Sequence, residues 1–190
     1  MRRPVVGVMG ASNNDGLADS EQQRVKGLAE NLGPAIAKQG CILVTGATTG
    51  FPNLVARAFR EHGGFALGIS PAENRAEHLD RYGLPEEGVD VIIYTGFGYK
   101  GRNVINIRSA DIVIIFGGAT GTLNEFTIAY DEGKIIGVLE GSGGIADHLG
   151  EVIDFCSKPS RGVVLFDNNP ETLVQRCLDA WSDREKGTCS

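Results

Sequence analysis

Residues 117–125, Gly-Gly-Ala-Thr-Gly-Thr-Leu-Asn-Glu, combine glycines and hydroxyl side chains with one carboxylate. They follow the apolar run 111–116 and precede an amphipathic stretch, an order that predicts a strand, a glycine turn and a helix. Backbone N–H groups at such a helix start carry the positive end of the helix dipole and can bind a phosphate. Glu125 lies one turn inside this helix, beside that phosphate. The segment therefore indicates a nucleotide-type ligand with a charged group near its sugar.

Structural explanations compete with these roles. Residues 122–125, Thr-Leu-Asn-Glu, have capping-box spacing, so Glu125 could simply bond the first N–H of the helix. Arg102, upstream of the segment, could be a solvated surface arginine. The loop before it carries Phe97 and Tyr99, which could stack on a base or merely pack against the edge of a sheet.

Apolar runs alternate with helical patterns along the whole chain. Strands are predicted over 5–9, 42–45, 65–69, 89–94, 112–116, 135–139 and 163–166, and helices over 20–38, 52–62, 103–109, 122–132, 145–157 and 170–184. This alternation predicts an α/β fold, a Rossmann-like, doubly wound and mainly parallel sheet of about seven strands with helices on both faces. Residues 1–184 are expected to form a single nucleotide-binding domain, and residues 185–190 a frayed tail.

Three of the predicted strands end in small and hydroxylic residues. Ligands of open α/β sheets bind beyond the carboxyl ends of the strands, so these three ends could together line a polar floor. One glycine loop alone is weak evidence, because tight turns need glycine anyway. The expected ligand contacts are Gly10, Ala11, Ser12, Gly46, Ala47, Thr48, Gly118, Ala119, Thr120, Gly121 and Thr122.

The standard dinucleotide motif is absent from these loops. The first loop lacks a third glycine at the required spacing, no acidic residue closes the second strand, and no lysine-containing phosphate loop occurs. NAD or ATP binding of the usual kind is therefore disfavoured, and a NAD(P)-linked oxidoreductase stays a weaker third possibility. The polar connection 71–88 could be a mobile lid or a plain surface excursion.

Composition excludes several classes of function. With a net charge of −6 and no basic face, the chain is not expected to bind nucleic acid. No apolar run approaches membrane-spanning length, and the start of the chain predicts a first strand, not a signal peptide, so a cytoplasmic protein is expected. The cysteines lack metal-ligand spacing and the histidines are scattered, which predicts reduced thiols, no metal site and no cofactor.

The sequence from Arg102 to Glu125 resembles the SLOG superfamily. Its best-known branch is the LOG family of cytokinin riboside 5′-monophosphate phosphoribohydrolases, whose signature is an Arg-Lys pair and then Pro-Gly-Gly-x-Gly-Thr-x-x-Glu. The matching positions are Arg102, Gly118, Gly121, Thr122 and Glu125. Residues 44–46 and 63–71 also look like family landmarks, so the resemblance extends over nearly the whole chain.

Three positions depart from the LOG signature. Asn103 stands in place of the lysine, Gly117 in place of the proline and Ala119 in place of a glycine. This pattern is closer to a branch similar to the molybdenum cofactor carrier proteins of plants and algae. Asn103 is expected to contact the ligand together with the glycine turns.

The resemblance implies two functions. The favoured one is an enzyme that hydrolyses the N-glycosidic bond of a nucleoside 5′-monophosphate to free base and ribose 5-phosphate, with Glu125 and Arg102 as catalytic residues. As a carrier or sensor, the protein would hold a phosphorylated nucleotide-like ligand without cleaving it. Many relatives are labelled lysine decarboxylases. That chemistry needs pyridoxal phosphate on a lysine, and only Lys100 lies near the expected pocket, so we do not expect a decarboxylase. The resemblance also implies a homodimer or a larger homo-oligomer.

Overall fold

The computed structural model describes residues 2–12 and 19–187. Within them, seven strands form one sheet: β1 (Val5–Gly10), β2 (Ile42–Thr45), β3 (Phe65–Ser70), β4 (Val91–Tyr94), β5 (Ile112–Phe116), β6 (Ile135–Leu139) and β7 (Val163–Asp167). The α-helices between and after them are α1 (Asp19–Lys38), α2 (Phe51–Glu61), α3 (Gly98–Ser109), α4 (Thr120–Asp131), α5 (Leu149–Cys156) and α6 (Pro170–Gly187). A π-helix (Glu77–Arg81) precedes β4, and a 3₁₀-helix (Gly144–His148) precedes α5.

The strand order creates a crevice at the centre of the sheet. The order is β4-β3-β2-β1-β5-β6-β7, and every neighbouring pair is parallel. The direction of winding reverses between β1 and β5, which pair from Val6 opposite Ile112 to Gly10 opposite Phe116. A ligand site is expected beyond the carboxyl ends of these two strands. The predicted doubly wound α/β fold is confirmed, with an entirely parallel sheet.

Helices cover both faces of the sheet. On β5, Ile112, Ile114 and Phe116 belong to a core with residues of α1, α2 and α6, whereas Val113 and Ile115 belong to a second core with residues of α3, α4 and α5. Because successive side chains of a strand point to opposite faces, a strand covered on both sides must be apolar at every position. This explains the uninterrupted apolar run of β5, all of whose residues are buried.

Helix starts differ most from the sequence prediction. The helix α3 begins at Gly98, not at residue 103, and α4 begins at Thr120, not at residue 122. Both early turns are glycine-rich and lack apolar periodicity, so the pattern did not reveal them. The predicted helix 145–157 is divided into the 3₁₀-helix and α5. At the other end, α6 continues to Gly187, so residues 185–187 are helical, while residues 188–190 lie outside the described residues.

The connection between β3 and β4 is held against the sheet. The His78 side chain is fully buried, with Nδ1 2.8 Å from Ser70 Oγ and Nε2 3.1 Å from the Pro85 carbonyl oxygen. Arg75 donates two hydrogen bonds to the Glu86 carboxylate, at 2.7 and 2.5 Å. These contacts favour the interpretation of residues 71–88 as a plain surface connection over that of a mobile lid.

The described cysteines are free thiols. Burial raises the pKa of Cys41 to about 11 and that of Cys177 to about 12, so both thiols stay protonated at neutral pH. Cys156 is exposed, and Cys189 lies outside the described residues. No helix in the described ranges combines the length and the apolar character needed to cross a membrane.

Gly33 provides a test of the packing between α1 and α2. A Cβ at this position would lie 2.6 Å from the backbone N of Phe59 and from the carbonyl oxygen of Val55. We expect Gly33→Ala to lower the free energy of unfolding by about 1–3 kcal/mol, because overpacking outweighs the gain in helix propensity. Urea unfolding followed by circular dichroism measures this change.

Gly27 is the matched control, since it lies in the same helix and a Cβ there would meet nothing within 4 Å. Gly27→Ala should raise the free energy of unfolding by about 0.5–1 kcal/mol. Equal stabilisation by both substitutions would contradict the close approach of α1 and α2 at Gly33.

Candidate functional site

A pocket of about 610 Å³ lies at the carboxyl ends of β1, β2, β5 and β6. Such a volume is typical of small-molecule sites. The structure brings most of the predicted site residues together in its lining: Gly10, Ala11, Ser12, Gly46, Thr48, Arg102, Asn103, Gly118, Ala119, Gly121, Thr122 and Glu125.

Two predicted contacts are not part of this lining. Ala47 is buried, adopts a positive φ of 50° and donates its N–H to Thr45 Oγ1 at 3.3 Å. Thr120 begins α4 and is exposed. Ala47 and Thr120 each stand next in sequence to residues that line the pocket. Because the backbone turns at these positions, consecutive side chains point in different directions.

Part of the pocket wall comes from residues that the sequence pattern does not single out. Phe51 and Pro52 enter it from the start of α2, and Ser142 and Gly144 enter it from the loop after β6. The sequence does contain a pattern that could have predicted Ser142 and Gly144. Small residues follow the apolar run of β6, as they follow that of β5. The remaining unassigned lining residues are Val8, Met9, Tyr99, Lys100 and Gly117.

The turn before α4 is fixed by the loop after β6. The Gly117 N–H donates to Ser142 Oγ at 2.8 Å, and the Gly118 carbonyl accepts from the N–H of Ile145 at 2.8 Å. Gly118 has a φ of 91°, and a Cβ there would overlap the side chain of Thr122. The turn therefore requires glycine at this position and presents the start of α4 to the pocket.

The start of α4 has no side-chain cap among the described residues. The first residues of a helix have no intrahelical acceptor for their N–H groups, and here no side chain among the described residues caps them. The capping-box explanation of Glu125 is wrong, because the helix begins two residues before Thr122 and the Glu125 carboxylate turns toward Arg102. The free amides and the helix dipole together favour an anion.

Arg102 and Glu125 form a buried ion pair within the pocket. Arg102 Nη1 lies 3.4 Å from Glu125 Oε1, and the two side chains are only 6% and 8% exposed. A Cβ on Gly46 would overlap the guanidinium, so the glycine at the end of β2 makes room for it. The surface-arginine explanation of Arg102 is wrong. Nε of Arg102 has no hydrogen-bond partner among the described residues, which leaves one buried donor for a ligand.

The carboxyl of Glu125 titrates near neutrality. Burial raises its pKa from 4.5 to about 7, although Arg102, Asn106 and Lys100 oppose the shift. Burial also lowers the pKa of Arg102, against the effect of Glu125. A carboxyl of this kind is half protonated at neutral pH and can either accept or donate a proton.

Two asparagines of α3 extend this polar cluster. With its amide nitrogen toward Glu125, Asn103 donates to Oε1 at 3.1 Å and to the Tyr99 carbonyl at 2.9 Å. Asn106 is fully buried beside Met9, with Nδ2 3.7 Å from the sulfur. The charged lining residues among those described are Lys100, Arg102 and Glu125, so the pocket has an excess of positive charge although the chain is acidic. In the described ranges, no group of three or more His, Cys, Asp or Glu side chains could hold a metal ion.

Comparison with known proteins agrees with this architecture. Residues 3–174 match the SLOG cluster4 family, and the chain belongs to that family. An uncharacterised protein of Archaeoglobus fulgidus is 32% identical over 140 residues, which cover 74% of this chain and 82% of that protein. The resemblance to the SLOG superfamily is thus confirmed.

Solved structures resemble the chain over nearly its full length. The X-ray structure of TM1055, a structural genomics target, has a TM-score of 0.78 and 28% identity and covers 93% of this chain and 99% of its own. The molybdenum cofactor binding protein of the phototrophic bacterium Rippkaea orientalis has a TM-score of 0.72 and 27% identity, covering 95% and 98%. The molybdenum cofactor carrier protein of Chlamydomonas reinhardtii has a TM-score of 0.69 and 25% identity, covering 94% and 99%.

The raised pKa of Glu125 predicts a dependence of stability on pH. The folded protein keeps this proton to higher pH than the unfolded chain, so its contribution to stability is complete below pH 4.5 and is lost as the pH rises through 7. Relative to Glu125→Gln, the wild-type protein should lose about 3 kcal/mol of unfolding free energy over this interval. Urea unfolding at closely spaced pH values measures the difference.

The exposed Glu87 supplies the control for removing a carboxylate. Glu87→Gln should follow the pH profile of the wild-type protein. A constant difference between wild type and Glu125→Gln from pH 4 to 8 would show that Glu125 titrates normally and that its burial has no electrostatic effect.

Proposed function

We propose that this protein binds a small phosphorylated ligand that carries a planar ring, a nucleotide-like or pterin-type cofactor, and holds it intact as a carrier. The observation that carries the proposal is the start of α4, which no side chain among the described residues caps and which lies in the same pocket as the buried Arg102. A neutral or cationic ligand would offer no acceptor with negative charge to the α4 amides or to Arg102 Nε, neither of which has a side-chain partner among the described residues.

The phosphate of such a ligand fits the start of α4. Backbone N–H groups of the turn 118–122 would donate to its oxygens, and the Thr122 hydroxyl lies beside them. Lys100 and Arg102, both on α3, add positive charge to the lining of the same pocket. The Nε of Arg102, which has no hydrogen-bond partner among the described residues, gives a donor of the type that phosphates accept.

Two observations favour a carrier over a hydrolase. Glu125 is already paired with Arg102 and has Asn103 beside it, an arrangement that stabilises the pocket without any substrate. Two of the structural neighbours, at 25–27% identity over nearly the whole chain, are named as a molybdenum cofactor binding protein and a molybdenum cofactor carrier protein. A pterin cofactor with a phosphate has the ligand chemistry that the pocket would accept.

Hydrolysis of a nucleoside 5′-monophosphate is the second candidate, and the pKa of Glu125 favours it. A carboxyl with a pKa of about 7 can take a proton from water as the water attacks C1′ of the ribose. The electron pair of the N-glycosidic bond passes to the base, the base takes up the proton that Glu125 received from the water, and the water oxygen stays on C1′ of the released ribose 5-phosphate. The negative charge of Glu125 would also stabilise the oxocarbenium-like transition state.

Ligand binding should depend on Arg102. Isothermal titration calorimetry with AMP, GMP, CMP, UMP and neopterin monophosphate would identify the ligand class, and Arg102→Ala should weaken the tightest of them by about 10- to 150-fold, the effect of losing a hydrogen bond to a charged group. Arg108→Ala is the matched control, because Arg108 lies on the same helix but is exposed and paired with Glu132. Failure of every probe to bind at millimolar concentration would refute the proposal.

Product analysis separates the two candidates. The wild-type protein is incubated with each nucleoside monophosphate, and free base is measured by liquid chromatography. A carrier leaves the bound ligand intact. Base release that is lost in Glu125→Gln but kept in Glu87→Gln would overturn the carrier function and establish the hydrolase, whereas release that persists in Glu125→Gln would come from a contaminant.

A further inference from the structure

Tyr99 is an aromatic residue on the rim of the pocket. It lies in the first turn of α3, lines the pocket and is 46% exposed. The other aromatic residue of the described lining, Phe51, is 1% exposed and packs on Phe116 with ring centroids 5.0 Å apart. Phe51 is therefore part of the core, and Tyr99 alone among these described residues has ring surface available to a ligand.

The Tyr99 ring is held in place by two neighbours. The ring of Tyr82 stands perpendicular to it at 89°, with centroids 5.4 Å apart, a favourable geometry for aromatic pairs. The guanidinium carbon of Arg102 lies over the Tyr99 ring, 5.8 Å from its centroid, within the range of a cation–π contact. The same arginine thus contacts both Glu125 and the aromatic ring.

Tyr82 is itself fixed by the connection between β3 and β4. Its backbone N–H donates to the Glu77 carbonyl at 3.1 Å and so closes the π-helix. The buried His78 side chain ties this helix to Ser70 at the end of β3. The connection between β3 and β4 therefore places the aromatic side chain of Tyr82 against Tyr99 at the rim of the pocket.

We propose that Tyr99 is the platform on which the planar ring of the ligand stacks, and that Tyr82 is a positioning residue for it. This inference rests on the proposed function, since the phosphate at α4 fixes one end of the ligand and Tyr99 receives the other. The ligand would therefore be a phosphate monoester joined to a flat heteroaromatic ring. A purine or a pterin is favoured over a single-ring pyrimidine, because a larger ring gains more from stacking.

The test compares ligands with and without the ring. Ribose 5-phosphate and the tightest-binding of AMP, GMP and neopterin monophosphate are titrated into the wild type and four variants. Tyr99→Ala should weaken the ringed ligand by about 5- to 150-fold, the range for one stacked base, and ribose 5-phosphate by less than about twofold. Tyr99→Phe keeps the ring and should keep the affinity.

Tyr82→Ala should weaken the ringed ligand by a smaller factor of about 2- to 10-fold, again with little effect on ribose 5-phosphate. Phe97→Ala is the matched control, because Phe97 is 68% exposed, lies two residues from Tyr99 and is not part of the pocket lining. It should leave both affinities unchanged.

The outcomes separate this inference from the function on which it rests. If the ringed ligand binds no more tightly than ribose 5-phosphate, or if Tyr99→Ala weakens both equally, stacking on Tyr99 is refuted while phosphate binding at α4 stands. If the wild-type protein binds neither kind of probe, the proposed function fails and the stacking site fails with it.

Discussion

Arg102 on α3 and Glu125 on α4 bring two opposite charges within 3.4 Å of each other inside the protein. Removing charges from water costs several kcal/mol per ion, and their attraction offsets that cost only when geometry and further hydrogen bonds are favourable. The surroundings meet this condition in part, because the Asn103 amide donates to the carboxylate when its nitrogen is turned toward Glu125, and the Tyr99 ring lies under the guanidinium. The incomplete compensation is visible in the raised pKa of Glu125.

Close approach of the strand ends makes this arrangement possible. A Cβ on Gly46 would overlap the Arg102 guanidinium, one on Gly118 would overlap Thr122, and one on Gly10 would overlap the Phe116 carbonyl. Each glycine ends or follows a strand at the crevice between the two halves of the sheet. Because these residues are small, the pocket extends to the ends of the strands. The start of α4 and the ion pair between Arg102 and Glu125 both line it there.

Binding and hydrolysis would use the same pocket and differ in the state of one carboxyl. A protonated Glu125 can hydrogen-bond to a ligand and leaves the site with excess positive charge, as suits an anion. An ionised Glu125 neutralises Arg102 and can activate water. With a pKa of about 7 both states of Glu125 are populated at neutral pH.

The sequence by itself determined the class of fold and most of the pocket wall. Apolar runs at 42–45, 112–116 and 135–139 have the same bounds as β2, β5 and β6, because strands buried on both faces must be apolar throughout. Parallel strands also end at one edge, so glycine loops after them had to lie together.

Only the tertiary structure decided what those residues contact. The starts of α3 and α4 were hidden in glycine-rich turns, which carry no periodicity, and Glu125 has capping-box spacing whether it caps a helix or not. Its actual partner, Arg102, lies on another helix, and the hydrogen bond from Gly117 to Ser142 crosses to another strand end. The hydrophobic pattern of a segment indicates which of its side chains are buried. Whether a charged side chain is buried, and with what it pairs, depends on which helices and strands pack against each other.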